Sequence, residues 1–148
     1  MLKKIIIGLA ILLVLIICAV AALFYIVGDA AKITEYEFGA DKVASVNAVI
    51  GETRKVSGVS SGTSGGVQQK QYVYESASML KDLTTYSRHL MSNGWIVVKS
   101  FDLNTGNGEA QFATQSVDEG KILVMSIAFE PDKYAIKISK FEGQVNRD

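Results

Sequence analysis

The chain has 148 residues, which is enough for one domain and not for two. Its apolar content of 49% is unevenly spread, because residues 5–27 form an unbroken run of 23 apolar or small residues. After this run stand 13 basic and 15 acidic residues, so the remainder has a formal charge of −2. That balance lacks the excess of positive charge on which nucleic-acid binding normally depends, and no nucleic-acid partner is predicted.

The apolar run predicts a membrane anchor. A helix of 23 residues is about 34 Å long and crosses a hydrocarbon core of roughly 30 Å. Lys3 and Lys4 keep the preceding end in the cytoplasm, and Phe24 and Tyr25 favour the opposite interface. We therefore predict a cytoplasmic stretch at residues 1–4, a transmembrane helix at 5–27 in contact with the bilayer, and an extracytoplasmic domain at 28–148.

Other readings of the run place a processing site within it. Ala19-Val20-Ala21 fits signal-peptide cleavage, which would release a secreted protein but leave an apolar stub on the mature chain. Lipid attachment at Cys18 needs a small preceding residue, and Ile17 is not small. A type IV pilin leader needs an early glutamate, which the run lacks. Cys18, the only cysteine, is therefore interpreted as a small apolar residue of the membrane helix.

After the run, the apolar pattern is mostly that of β-strands. Residues 32–39 alternate and predict a strand, whereas residues 41–50 fit either a strand or a short helix that ends at Gly51. Two further strands, at 53–60 and 67–75, predict a hairpin whose turn is the Gly/Ser-rich stretch 61–66.

A long helix follows the hairpin, starts at Ser76 or Ser78, and ends near Asn93 before Gly94. Helical spacing predicts that Leu80, Leu83 and Leu90 face the sheet, with Tyr86 at the edge of this face. The same spacing places His89 opposite Leu80, facing solvent together with Asp82 and Thr85.

Four strands complete the chain, at 95–103, 109–117, 121–130 and 134–141. The third is the most apolar and is placed centrally, and the bulkier of its two faces is predicted to meet the helix: Leu123, Met125, Ile127 and Phe129. Short loops make successive strands antiparallel neighbours. The predicted fold class is α+β, a two-layer domain whose antiparallel sheet is built from a hairpin and a four-strand meander, with one main helix packed on one face.

One set of residues carries a resemblance to a known group of proteins. The pattern comprises Tyr72-x-Tyr74 and then Asp82-Leu83-x-x-Tyr86-x-x-x-Leu90-x-x-x-Gly94-Trp95-x-Val97. It resembles small membrane-anchored or lipid-anchored outer proteins of Gram-positive anaerobic bacteria and covers roughly half of the chain. The resemblance implies a location and a broad fold, and no activity. Many such proteins carry a lipidated cysteine, and this chain departs from them there.

Two serine motifs have a structural interpretation. Residues 58–62 and 62–66 both match G-x-S-x-G, with Ser60 and Ser64 at the serine position, but strands flank them where a nucleophile elbow needs a strand and a helix. Ser78 and Lys81 match S-x-x-K without the companion motifs of penicillin-binding enzymes. We interpret the first two as a hairpin tip and the third as a helix cap, and predict no catalytic residue.

Metal and cofactor sites are not predicted either. His89 is the only histidine, and the domain has no cysteine to join it as a zinc ligand. The stretch Asp102–Glu109 has the polar composition of a calcium loop, but its spacing lacks the glycine and the glutamate of an EF-hand. A hairpin turn explains these residues.

The aromatic residues of the predicted strands have two possible roles. Tyr72, Tyr74, Trp95, Phe112 and Tyr134 fit either core packing or a ligand-binding face. The function we predict is a non-catalytic, membrane-tethered binding or accessory module whose partner is an envelope protein or polymer. Alternatives are a small envelope enzyme that uses carboxylates, with raised pKa values in a cleft, and a secreted protein. A binding module predicts an exposed apolar patch or an open sheet edge.

Overall fold

A computed structural model describes residues 33–102 and 108–146. It confirms an α+β fold. The strands are β1 (Glu35–Phe38), β2 (Asp41–Ala44), β3 (Lys55–Ser64), β4 (Val67–Glu75), β5 (Ile96–Lys99), β6 (Gly108–Gln115), β7 (Lys121–Glu130) and β8 (Lys133–Glu142). The helices are α1 (Val46–Ile50) and α2 (Met79–Ser92).

Six of the strands form one antiparallel sheet in the order β3-β4-β8-β7-β6-β5. The predicted central position of 121–130 is confirmed, because β7 lies between β8 and β6. Leu123, Met125, Ile127 and Phe129 are buried, as predicted for the face toward the helix. The intervening residues of β7 are half-buried or exposed, so one face of the sheet is much better covered than the other.

The covering layer consists of α1, α2 and a two-stranded ribbon of β1 and β2. In the ribbon, Tyr36 stacks on Tyr72 of β4 with ring centroids 4.5 Å apart. In α2, the hydroxyl of Tyr86 donates to the carbonyl of Ala44 at 2.9 Å, which joins the helix to the ribbon. The sequence predicted one main helix on the sheet, and the structure adds the ribbon and the short α1 to that layer.

The buried face of α2 differs from the predicted face. Leu83 and Leu90 are buried as predicted, but Leu80 is 50% exposed. Asp82, predicted to face solvent, is 2% exposed, and Thr85 and His89, predicted to face solvent with it, are half-buried. The prediction placed Leu80 on the sheet-facing side of the helix and His89 opposite it. The helix is instead rotated so that Met79, Asp82, Leu83 and Tyr86 point inward, which the ion pair of Asp82 described below makes possible.

In the amino-terminal half, one segment is more extended than predicted and another combines two predicted alternatives. The hairpin turn is only Gly65-Gly66, and Ser61 to Ser64 continue strand β3 in register with β4. Residues 41–50 contain both of the predicted alternatives: β2 ends at Ala44, and Ser45 caps α1 by accepting a hydrogen bond from the amide of Ala48 at 3.2 Å. Gly51 ends α1 in the left-handed conformation with φ 70°.

The boundaries of the last strands agree closely with the prediction except at β5. This strand covers Ile96–Lys99, where 95–103 was predicted. The predicted membrane helix at 5–27 lies outside the described residues. Within the residues that the structure does describe, no helix is long and apolar enough to cross a membrane.

Candidate functional site

The serine motifs lie on regular secondary structure. Ser60 and Ser64 belong to β3, which contains the first G-x-S-x-G match and ends at Ser64 of the second, and strand β4 follows where an elbow needs a helix. Ser78 is the residue before α2, but its side chain makes no capping hydrogen bond. Lys81 is exposed and lies 3.8 Å from Glu52. None of these serines is placed as the nucleophile of a strand-turn-helix elbow.

The lone histidine is near the surface. His89 lies in the last turn of α2, beside the ring of Tyr86 and the amide side chain of Asn93. Among residues 33–102 and 108–146, no group of three or more His, Cys, Asp or Glu side chains is arranged to hold a metal ion. Residues 103–107 of the proposed hairpin turn lie outside the described part.

The strand aromatics pack into the core. Tyr72, Tyr74, Trp95, Phe112 and Tyr134 are all at most 8% exposed. The hydroxyls of Tyr36 and Tyr74 lie 2.6 Å apart, and Tyr36 also accepts a hydrogen bond from the amide of Val46 at 3.2 Å. Burial raises the pKa of Tyr74 to about 12, so these phenols stay neutral at physiological pH. Core packing, rather than an open ligand face, explains these aromatics.

A buried carboxylate joins four parts of the chain. Asp82 of α2 accepts two hydrogen bonds from Arg54, at 2.8 Å from Nε and 2.9 Å from Nη2. Ser76, at the end of β4, donates to it at 2.6 Å, and Tyr134 of β8 donates at 3.2 Å. Arg54 is in turn held at its backbone amide and carbonyl by the side chain of Asn47 of α1. The network fastens both helices to the sheet.

A second buried carboxylate fastens the ribbon. Asp41 of β2 lies 2.8 Å from the ammonium of Lys140 and accepts hydrogen bonds from Ser116 and the amide of Val117. The same ammonium contacts Asp118 at 2.6 Å and the carbonyl of Phe38 at 3.2 Å. The turn of the ribbon is thereby tied to β8 and to the loop before β7.

The electrostatics of both carboxylates are those of structural ion pairs. Burial alone would raise the pKa of Asp82, but the hydrogen bonds from Arg54 and Ser76 outweigh it and leave the pKa below the ordinary value. The pKa of Asp41 is lowered in the same way, with Lys140 and Ser116 outweighing burial. A general acid would need a raised pKa. This geometry therefore does not favour the carboxylate-enzyme alternative.

The remaining feature is the outer edge of β3. Gly65 and Gly66 have φ 58° and 79°, the left-handed values required by a two-residue type I′ turn. Such a turn closes on a pair, here Ser64 and Val67, that exchanges both backbone hydrogen bonds. Alternate residues along β3 then point their amide and carbonyl groups away from β4. These outward residues are Val59, Ser61 and Thr63.

The outward groups of β3 have no strand beside them among the described residues, since β3 is the terminal strand of the sheet. The edge is long, at 10 residues, and it has no charged residue after Lys55 and no proline. The opposite edge strand β5 has only 4 residues and an irregular register between Val97 and Lys99. Edge strands are normally protected by such shortness, by bulges or by charges. β3 has one irregularity, at Ser57, and beyond it no protection.

Next to this edge, the covering layer leaves the sheet open. A shallow depression of about 340 Å³ lies on the helix side, lined by Phe38, Gly39, Ser61, Gly62, Thr63, Gln68, Gln69 and Lys70. Val59, on the same face as Tyr72, is 52% exposed. The ribbon contacts the hairpin at Lys70, whose ammonium donates to the carbonyl of Glu37 at 2.6 Å, and its residues Phe38 and Gly39 line the depression. Beside the backbone of Val59, Ser61 and Thr63, the described part of the chain places no further strand.

Comparison with protein-family models, curated proteins and solved structures finds no match to this chain. Sequence reasoning missed the partners of the two buried carboxylates and the open edge. The signal for the edge was Gly65-Gly66 between alternating residues, which is typical of a two-residue hairpin turn and would have extended the first strand to Ser64. No comparable local signal joins Arg54 to Asp82, because 28 positions separate them.

The pKa shift of Asp82 predicts a pH-dependent stability difference. A lowered folded-state pKa stabilises the fold above the unfolded value, about 3.9, and this contribution is lost as pH falls through the folded value. Asp82→Asn, which resembles the protonated acid, should therefore be less stable than the wild type at pH 7, and the gap should close below about pH 4. Urea unfolding of the full-length chain in micelles, followed by fluorescence of the single, buried Trp95, measures the free energy of unfolding of the wild type and of the variant at each pH. A constant gap down to pH 2 would contradict the assignment.

The edge geometry predicts opposite effects of proline at neighbouring positions. Ser61→Pro removes an amide that points outward, so the fold should tolerate it. Ser60→Pro removes an amide bonded to β4 and leaves a carbonyl of β4 without its donor, which should cost about 1–3 kcal/mol more. Urea unfolding followed by Trp95 fluorescence compares the free energies of unfolding of the two variants. A greater loss of stability in Ser61→Pro would show that the inward and outward residues are reversed.

Proposed function

We propose that the chain is a non-catalytic binding module, tethered outside the cytoplasm by a helix at residues 5–27, which binds an extended polypeptide by adding it to strand β3. The observation that carries the proposal is the uncharged, unprotected edge of β3 at Val59, Ser61 and Thr63. Backbone groups of an added strand complete the hydrogen bonds of such an edge, and alternate side chains supply specificity.

The outward backbone groups of this edge and the surface beside it both support a polypeptide partner. Outward amides and carbonyls in the β conformation match the spacing of another strand, about 4.8 Å away. On the helix side, the exposed Val59 and the depression beside Ser61 and Thr63 accept small side chains. A charged polymer finds little complement here, because every residue from Val56 to Gln69 is uncharged.

The tether and the location are supported by the sequence. The run at 5–27 is long enough to span a bilayer, and Lys3 and Lys4 favour an outer position for the domain. The resemblance to anchored outer proteins of Gram-positive anaerobes supports the same location. A tether also suits an edge that binds through few contacts, because it confines the module to the surface on which its partner lies.

A photo-crosslinking amino acid at Thr63 tests the proposal in intact cells. We expect a discrete covalent adduct from this position and none from the same probe at Val117, which is 70% exposed but lies away from the edge. Ser61→Pro, which preserves the inward hydrogen bonds, should remove the adduct from Thr63. Equal labelling at Thr63 and Val117, or an adduct that survives Ser61→Pro, would overturn the proposal.

The same cells test the tether. The probe-bearing chain should be recovered with the membranes at a mass that includes residues 5–27. A mass that corresponds to cleavage after Ala21, with the domain in the medium, would support the secreted alternative instead.

A further inference from the structure

We infer that the strand that β3 binds is β3 of a second copy of this chain, paired antiparallel about a twofold axis at Ser61, so that the two sheets continue as one. This inference rests on the proposed function, since it names the occupant of the same edge. It is carried by the spacing of the outward residues, by the absence of charge and by the small size of the side chains.

The spacing of the outward residues is self-complementary. A twofold axis at Ser61 places Ser61 opposite its own copy and Val59 opposite Thr63 on both sides of the axis. All three outward residues of each copy then face outward residues of the other, as hydrogen-bonded antiparallel pairs. Shifting the axis to Val59 or to Ser60 leaves Thr63 without an outward partner in the regular part of β3, because Ser57 lies in the irregularity. The register centred on Ser61 therefore forms the most hydrogen bonds.

The absence of charge favours a copy over a different protein. In a twofold interface the residue on the axis meets its own copy, so that position must be uncharged, as Ser61 is, whereas selection of a different partner is commonly achieved with charges. The nearest cations on either side of the neutral stretch are Lys55 and Lys70. Lys55 lies beyond the paired segment. The ammonium of Lys70 donates to the backbone carbonyl of Glu37. In the dimer, the backbones of the two Lys70 residues would lie three strand spacings apart, about 14 Å.

The side chains also fit a close pair. Val59 and Thr63 are β-branched and would face each other across the new pair, which suits a pleated surface. On the other face, Ser60 meets Gly62, and neither blocks the approach of the second strand. Confinement of both copies to one membrane by the proposed tether raises their effective concentration, so a modest interface suffices.

Disulfide trapping in the full-length chain tests this register, in a Cys18→Ala background because Cys18 is the only native cysteine. Hydrogen-bonded antiparallel pairs have Cα atoms about 5.5 Å apart, within disulfide reach. Ser61→Cys should therefore form a crosslinked dimer on mild oxidation of the membranes. Ser64→Cys is the matched control, since the twofold axis separates its two copies by about 20 Å. We expect at least about tenfold more dimer from Ser61→Cys.

Mixing two further variants tests the pairing itself. Val59→Cys and Thr63→Cys should crosslink when both are present in one membrane and only weakly when either is alone. Equal crosslinking of Ser61→Cys and Ser64→Cys, or no gain on mixing, would overturn the inference. If Ser61→Cys forms no dimer while the probe at Thr63 still captures a different protein, the self-pairing fails and the binding edge stands. If neither reacts, both fail.

Discussion

The carboxylate of Asp82 is the interaction on which the covering layer of this domain depends. It is almost fully removed from water, and charge burial of this kind is unfavourable unless the charge is paired and its lone pairs are satisfied. Arg54, Ser76 and Tyr134 satisfy them from a loop, a strand end and the sheet. Because α2 must present Asp82 to these partners, its rotation is fixed, and Leu83 and Leu90 follow onto the sheet.

The same arrangement determines where the covering stops. The helices are fastened near the end of β4, and the ribbon is fastened to β8 through Asp41 and Lys140. The ribbon reaches the outer half of the β3–β4 hairpin at Phe38 and Gly39, which line the depression beside Ser61 and Thr63. Core packing uses the tyrosines and the carboxylates, while the outer half of β3 contributes little to the core, because the residues from Val59 to Ser64 are exposed. We therefore expect that Ser61 can be altered at the edge without loss of the core.

Sequence patterns predicted the parts of this fold that depend on local periodicity. The apolar residues of 121–130 identified a central strand and its buried face. Gly94 was predicted to end α2 as a left-handed residue, and its φ of 85° confirms this. The predicted orientation of α2 was wrong. A prediction from the spacing of apolar residues places Leu80 inside and Asp82 outside, whereas in the structure Asp82 is buried and Leu80 is exposed. That outcome depends on Arg54, whose proximity arises only when the chain has folded.

The sequence did not predict where the candidate edge lies. The binding module stays a prediction, and the open edge or apolar patch expected of it was not assigned to any strand. The position of the edge was missed because Ser61 to Ser64 have the composition of a loop, although their register with β4 makes them a strand. Small polar residues are compatible with both states, and the decisive difference is the two-residue turn at Gly65-Gly66.

Amide hydrogen exchange, resolved by residue on the full-length chain in micelles, tests the open edge most directly. With one chain per micelle, the amides of Ser60, Gly62 and Ser64 should exchange slowly, and those of Val59, Ser61 and Thr63 should exchange fast. As more chains share a micelle, the fast set should become protected while the slow set is unchanged. Uniform exchange along residues 59–64, or protection of Val59, Ser61 and Thr63 in the isolated chain, would contradict the account.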